Sequence, residues 1–118
     1  MTRAAIVVLV VVLVLGGLFF LLRPDTQEGG PRDRSFEVSI EDGEMRPEEI
    51  SVHRGDTVTL RVVTDEPTEI HVHGYDAEQE VEPGKRAKIG FEADLTGRFE
   101  IEDHETEKEL GVLQVRPR

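Results

Sequence analysis

Residues 50–62 read Ile-Ser-Val-His-Arg-Gly-Asp-Thr-Val-Thr-Leu-Arg-Val, and this stretch decides the fold. Apolar side chains alternate with polar ones on both sides of the turn Arg54-Gly55-Asp56. Successive side chains of a strand point to opposite faces of a sheet, so each half of the stretch has one face suited to burial. The stretch therefore predicts two short strands joined by a tight turn.

Short alternating runs separated by turn residues continue from Phe36 onward, and none of them has convincing helical periodicity. This pattern predicts an all-β sandwich of about seven strands over residues 36–117. The side chains expected to face inward are Phe36, Val38, Ile40, Ile50, Val52, Ile70, Val72, Ala87, Ile89, Phe91, Phe99, Ile101, Leu113 and Val115.

An apolar segment precedes these runs: residues 4–22 are nineteen uncharged residues between Arg3 and Arg23. A helix rises 1.5 Å per residue, so the segment would cover about 28 Å, close to the hydrocarbon thickness of about 30 Å. Gly16-Gly17 offers no good small-x-small cleavage site. We expect an uncleaved membrane anchor over residues 1–23, the alternative being a cleaved signal peptide.

Between the anchor and the alternating runs, residues 24–34 contain two prolines and two glycines among charged residues. This composition predicts a flexible linker, followed by one domain over residues 35–118. The arginines beyond the anchor slightly oppose export, whereas the three-residue N-terminal tail and the interleaved acidic residues favour it. We expect a single-pass protein of the cytoplasmic membrane whose C-terminal domain is extracytoplasmic.

The domain is strongly acidic, because all 25 acidic residues and 12 of the 14 basic ones lie beyond residue 23, which gives this part a charge of −13. Such a field repels nucleic acid and anionic lipid head groups and attracts cations or a basic partner. The chain has no cysteine, so a disulfide framework and thiolate ligation of a metal are both excluded.

Three of the four histidines form the candidate metal site. His71-Val72-His73 places two imidazoles on one face of a predicted strand, about 7 Å apart at Cβ, so that both can converge on one ion. His104 follows a later strand, where alternation groups it with the solvent-facing acids unless a bulge intervenes. His71, His73 and His104, completed by Asp103, Glu105 or water, would suit copper or zinc.

The order of residues resembles a known family. Residues 45–58, with a Pro and a Gly-Asp turn before a strand, are similar to the early part of a cupredoxin, and His71 takes the place of its first copper ligand. Pro83-Gly84-Lys85 and residues 97–115 resemble the later turn and the terminal hairpin. The resemblance is closest to EfeO-type cupredoxin-like domains, single membrane-anchored bacterial modules, and it implies a Greek-key β-sandwich.

The chain departs from the family at the other copper ligands. Counted from Gly97, the family's cysteine falls on Asp103, its second histidine near Thr106 and its methionine near Leu110. The resemblance therefore does not imply a blue-copper site, which depends on a His₂Cys arrangement.

Two functions follow from these observations. One is a membrane-anchored module that binds copper or zinc for storage, delivery or sensing. The other is a metal-free acidic β-sandwich that docks a basic protein of the cell envelope, with the histidines as surface residues. We do not expect an enzyme, because about eighty residues with a thin core leave little room for a substrate pocket.

Overall fold

The computed structural model describes residues 2–23 and 29–118. Residues 24–28 of the predicted linker, and Met1, lie outside this range. The N-terminal segment forms helix α1 (Arg3–Leu21), none of whose residues is buried. By length and composition, this apolar helix is compatible with a single-pass membrane anchor or with a signal sequence.

The remaining described residues form two β-sheets, and the predicted all-β sandwich is confirmed. Their strands are β1 (Asp33–Glu41), β2 (Glu44–Arg46), β3 (Glu49–His53), β4 (Thr57–Thr64), β5 (Thr68–Val72), β6 (Ala77–Val81), β7 (Ala87–Glu92), β8 (Gly97–Asp103) and β9 (Lys108–Arg116). Nine strands are thus described where alternation predicted about seven. The first begins at Asp33, within the stretch predicted as linker.

The two sheets have the strand orders β2-β1-β4-β7 and β3-β9-β8-β5-β6. β1 pairs with β4, and β3 with β9, in parallel, and the other pairs are antiparallel. The predicted turn at residues 54–56 joins β3 to β4 and so carries the chain from one sheet to the other. In the five-stranded sheet, β5 lies between β8 and β6.

One core fills the space between the sheets, and alternation identified most of it. The largest fully buried side chains include Leu60, Ile70, Ile101 and Leu113. The phenylalanines at 36, 91 and 99 are partly buried at its edge. Burial of such aliphatic side chains contributes about 1.5–3 kcal/mol each, which stabilises the sandwich without disulfides.

An aromatic cluster positions the turn between β5 and β6. Tyr75 packs against Phe91 and Phe99, with ring centroids 4.9 and 5.0 Å away. Gly74, with φ of +83°, lies against the Phe99 ring, where an added Cβ would be 2.5 Å from Cδ1. Glycine is required here both by its left-handed backbone and by the lack of space. The turn that follows His73 is therefore fixed against the core.

Candidate metal centre

The three predicted histidines come together on the outer face of the five-stranded sheet. Ile70 and Val72 of β5 are buried, so His71 and His73 point away from the core. The ring centroid of His71 lies 4.7 Å from that of His73 and 5.7 Å from that of His104. His104 is the first residue of the turn after β8, and its ring lies beside that of His71 on this outer face.

Two glutamates, which the sequence did not single out, flank His71. The strand register places Glu78 of β6 opposite His71 on one side and Glu102 of β8 opposite it on the other. His71 Nε2 lies 3.6 Å from Glu78 Oε1, and His71 Nδ1 lies 3.7 Å from Glu102 Oε1. The row Glu78-His71-Glu102 thus runs across three adjacent strands.

These five residues form two groups that share His71, and the ligand atoms of each group lie within 4.8 Å of one another. We call His71, His73 and Glu102 the inner triad, and His71, Glu78 and His104 the outer triad. The inner triad is the more shielded: the side chains of His71 and Glu102 are 17% and 16% exposed, whereas His104 and Glu78 are exposed.

The inner triad contains ring nitrogens that are shielded from solvent and have no hydrogen-bond partner. Among the described residues, neither His71 Nδ1 nor His73 Nε2 forms a hydrogen bond of acceptable geometry. His73 Nε2 lies 2.7 Å and His71 Nδ1 lies 3.7 Å from Glu102 Oε1, so Glu102 is the ion-pair partner of both rings. A metal ion between these atoms would bind both nitrogens and the carboxylate oxygen that they face.

The spacing of these atoms suits a small cation. Nitrogen and oxygen ligands of zinc lie about 2.0–2.2 Å from the ion, which places neighbouring tetrahedral ligand atoms about 3.4 Å apart. Glu102 Oε1 lies 2.7 Å from His73 Nε2 and 3.7 Å from His71 Nδ1, and these two distances bracket that value. Two imidazoles and a carboxylate are also ligand types that Zn(II) and Cu(II) accept.

The charge state of Glu102 favours a cation. The close polar contact from His73 lowers the pKa of Glu102, burial raises it, and His71 lowers it further, so that the pKa lies below its usual value. The carboxylate is therefore ionised at neutral pH. Glu69, Glu80 and Glu100 occupy outward positions on the same three strands and add negative charge around the two triads.

Asp103 and Glu105, which the sequence suggested as further ligands, lie outside both triads. Asp103 is buried on the core side of β8, and its carboxylate accepts hydrogen bonds from the backbone N–H groups of Glu69 and Glu105 and from Thr106 Oγ1. It organises the turn after β8. Glu105 lies in that turn beyond the two triads.

The family's copper pole lies apart from the histidines. Asp103, Thr106 and Leu110, the positions of the missing blue-copper ligands, line a cleft of about 500 Å³ together with Thr64 and Thr68. These side chains supply no imidazole, thiolate or thioether, so they do not fit a blue-copper ion. The resemblance assigns His71 to the same copper site as these positions, but the structure does not bring it there, because His71 lies on the opposite face of the sheet from Asp103. The His71 cluster and the family's copper pole are therefore different places on one scaffold.

The fourth histidine, His53, is exposed at the end of β3 and belongs to neither triad. Cross-strand register would have identified Glu78 and Glu102 as partners of His71. The sequence indicates that these residues are polar, but it does not indicate which strands are neighbours or which residues are opposite each other.

Comparisons with known proteins agree with this architecture. The cupredoxin-like domain family matches residues 9–115. No curated protein sequence gives a significant match. Among solved structures, a blue copper oxidase from Nitrosomonas europaea is similar with a TM-score of 0.60 and 25% identity, covering 73% of this chain.

Two further structures share the fold. A multi-copper oxidase from Pseudomonas thermotolerans has a TM-score of 0.61 and 22% identity over 75% of this chain. A copper binding protein, solved by NMR in its apo form, has a TM-score of 0.63 and 13% identity, covering 74% of this chain and 97% of that one. The chain spans only 39% and 31% of the two oxidases.

Proposed function

The chain belongs to the cupredoxin-like domain family, and on that premise we propose that it is a membrane-anchored metal-binding protein that uses the inner triad. His71, His73 and Glu102 would hold one Zn(II) or Cu(II) ion per chain. The observation that carries this proposal is the convergence of two solvent-shielded ring nitrogens, His71 Nδ1 and His73 Nε2, on the Glu102 carboxylate.

The chemistry that we propose is binding and not catalysis. The structural neighbours include oxidases, but each is much longer than this chain, and the family's copper pole here lacks suitable ligands. A site on the outer face of a sheet would exchange its ion readily with solvent or with another protein. Storage, delivery or sensing of copper or zinc at the cell surface is the role that suits such a site.

The proposal includes α1 as a single-pass anchor in the cytoplasmic membrane, a short linker after it and an extracytoplasmic domain that contains β1 to β9. Orientation can be tested because the chain has no cysteine of its own. A cysteine introduced at the exposed Thr96 should react with a membrane-impermeant maleimide in intact cells. Labelling only after the membrane is ruptured would place the domain on the cytoplasmic side.

Isothermal titration of the full chain in detergent with ZnSO₄ or CuSO₄ tests the site. We expect one ion per chain and the greatest loss of affinity, more than about 100-fold, in His71→Ala. Replacing a residue that only orients a metal ligand already costs about 10–100-fold. His73→Ala and Glu102→Gln should follow, and His104→Ala should have a smaller effect because it belongs only to the exposed triad.

His53→Ala is the matched control, since it removes an imidazole that lies outside both triads. Its affinity should equal that of the wild type. Uptake that is absent, or that His71→Ala leaves unchanged, would contradict the proposal.

The second candidate function is a metal-free acidic module that docks a basic protein of the envelope. The outward glutamates at positions 69, 78, 80, 100 and 102 favour it, because they give the five-stranded sheet a strongly negative outer face. Absence of metal uptake in the titration would leave this candidate as the better account.

A further inference from the structure

One end of the domain is basic, in contrast to the rest of its surface. Five arginines lie there because β1 begins, and β3 and β9 end, at this end of the sandwich. We call this end the basic pole. It comprises Arg32, Arg34, Arg54, Arg116 and Arg118.

A buried carboxylate organises the basic pole. Asp56 is 1% exposed and accepts hydrogen bonds from the backbone N–H groups of Arg32 and His53, each at 3.0 Å, and from the guanidinium of Arg118. Burial raises the pKa of Asp56, but these donors lower it more, so that it lies below its usual value. Asp56 therefore gathers the N-terminal and C-terminal segments of the domain at one place.

The guanidinium groups at this end are largely available to a partner. Arg32, Arg54 and Arg116 are exposed and, in the part of the chain that the structure describes, form no ion pair. Arg34 lies over the Phe36 ring, 5.5 Å from its centroid. Arg32, Arg34 and Arg118 line a cleft of about 330 Å³ together with Gly29. The cleft thus offers several cationic donors to one anionic surface.

The charge of the domain is polarised along its length. The segments that form the basic pole, residues 29–35, 53–57, 92–94 and 116–118, carry five arginines and four carboxylates, and Asp56 is one of the four. The rest of residues 29–118 carries seven basic and nineteen acidic residues. The repulsion of anionic lipid expected from the net charge therefore applies to the body of the domain and not to this pole.

The basic pole is also the end of the domain from which the chain leads back to α1. Arg118 donates a hydrogen bond to the carbonyl oxygen of Gly29, so Gly29 belongs to this end of the domain. Only residues 24–28 separate Gly29 from Arg23, which follows the helix. An extended chain spans at most about 3.6 Å per residue, so Gly29 lies no farther than about 22 Å from Arg23 in any conformation.

We propose that the basic pole docks on the anionic lipid head groups of the bilayer that α1 spans. The proposal rests on the anchoring part of the proposed function and is independent of metal binding. Arginine forks match phosphate geometry, and the short connection keeps them near the lipid surface. Docking turns the acidic body of the domain away from the bilayer.

The test uses the full chain in nanodiscs of neutral phosphatidylcholine or of a mixture with anionic phosphatidylglycerol. Both kinds of nanodisc also contain a phosphatidylcholine that carries a nitroxide on its head group, which quenches a fluorophore at short range. Thr96 precedes Gly97, which pairs with Val115 next to Arg116, so a bimane on Thr96→Cys reports on the basic pole. A bimane on Pro67→Cys, in the exposed loop between β4 and β5, reports on the opposite end. The native chain has no cysteine to label.

We expect the Thr96→Cys probe to be quenched in anionic nanodiscs and not in neutral ones, with little quenching of the Pro67→Cys probe in either. High salt should abolish the difference because exposed charges are screened. Each arginine near an anionic surface raises the docked population about fivefold, so Arg54→Gln with Arg116→Gln should lower the docked-to-free ratio about 25-fold.

Arg86→Gln with Lys88→Gln is the matched control, since it removes two exposed positive charges away from the basic pole. It should leave quenching unchanged, and cooperative urea unfolding of each variant, followed by the fluorescence of Tyr75, checks that the domain remains folded. The proposal would be overturned by equal quenching in neutral and anionic nanodiscs, or by a loss of quenching in the control as large as that in the arginine variant. Failure of the chain to stay in nanodiscs would instead refute anchoring, and failure of Zn(II) uptake would refute only the metal site.

Discussion

Replacement of Asp56 by alanine should destabilise the domain strongly, although Asp56 is outside the core. Its carboxylate is buried and accepts two backbone N–H groups, from Arg32 and His53, as well as the guanidinium of Arg118. Alanine leaves both N–H groups without a partner, at about 1–3 kcal/mol each. We expect a loss of about 2–5 kcal/mol, a large part of the 5–15 kcal/mol that stabilises a typical domain.

Urea unfolding of the full chain in detergent, followed by the fluorescence of Tyr75, measures this loss. Tyr75 is the only tyrosine, the chain has no tryptophan, and the ring packs against Phe91 and Phe99. With a slope of about 1–3 kcal/mol per molar urea, the unfolding midpoint should fall by about 1–2 M. Asp56→Asn, which keeps one acceptor oxygen, should lose about half as much.

Asp65→Ala is the control, because Asp65 also accepts one backbone N–H, from Asp42, but at an exposed position where water can replace it. Its midpoint should shift by less than about 0.5 M, in line with surface substitutions. Equal shifts for Asp56→Ala and Asp65→Ala would refute the reasoning.

The pH dependence gives a second check on Asp56. Because the folded-state pKa is depressed, its stabilisation is fully present above the unfolded pKa of about 3.9 and is lost as pH falls through the folded value. The difference in stability between the wild type and Asp56→Asn should therefore shrink below about pH 4. A difference that stays constant into acid would contradict an ionised Asp56 in the native state.

Three further outcomes are expected. In thermal unfolding, Gly111→Ala should lower the stability of the domain by about 1–3 kcal/mol. Its Cβ would lie 2.6 Å from the Glu48 carbonyl oxygen and 2.9 Å from Met45 Sδ. Gly30→Ala is the control and should be neutral, because its Cβ would meet nothing within 4 Å. Zn(II) affinity in titrations at several pH values should weaken as the pH is lowered, since a ligating imidazole must be neutral, and pH-independent affinity would exclude histidine ligands. The absorption spectrum of a Cu(II) complex should be pale, because the chain has no cysteine to supply a thiolate, and intense blue colour would contradict the proposed ligands.

The sequence predicted the sandwich because seven of its strands contain apolar residues that alternate with other residues, as in Phe36-Glu37-Val38 and Ala87-Lys88-Ile89. The two additional strands, β2 and β6, were missed because each has one buried side chain, Met45 and Val81 respectively. A single apolar residue gives no period. These strands form by pairing with a neighbour, and such pairing is not a local property of the sequence.

The candidate site was predictable only in part, for a similar reason. His71 and His73 are two residues apart along one predicted strand, so alternation alone places them on one face. Glu78 and Glu102 join them through the registers of β5 with β6 and of β5 with β8, which place both glutamates opposite His71. A shift of one residue there would have turned Glu102 toward the core.

Pulsed electron paramagnetic resonance of the full chain loaded with one equivalent of Cu(II) tests the central claim most directly, because it counts the imidazole nitrogens bound to the ion. The account predicts two coordinated imidazoles in the wild type, one in His73→Ala, and two in the control His53→Ala. Imidazole couplings that are absent from the wild type, or that persist unchanged when His71 is replaced by alanine, would contradict a metal site at the inner triad.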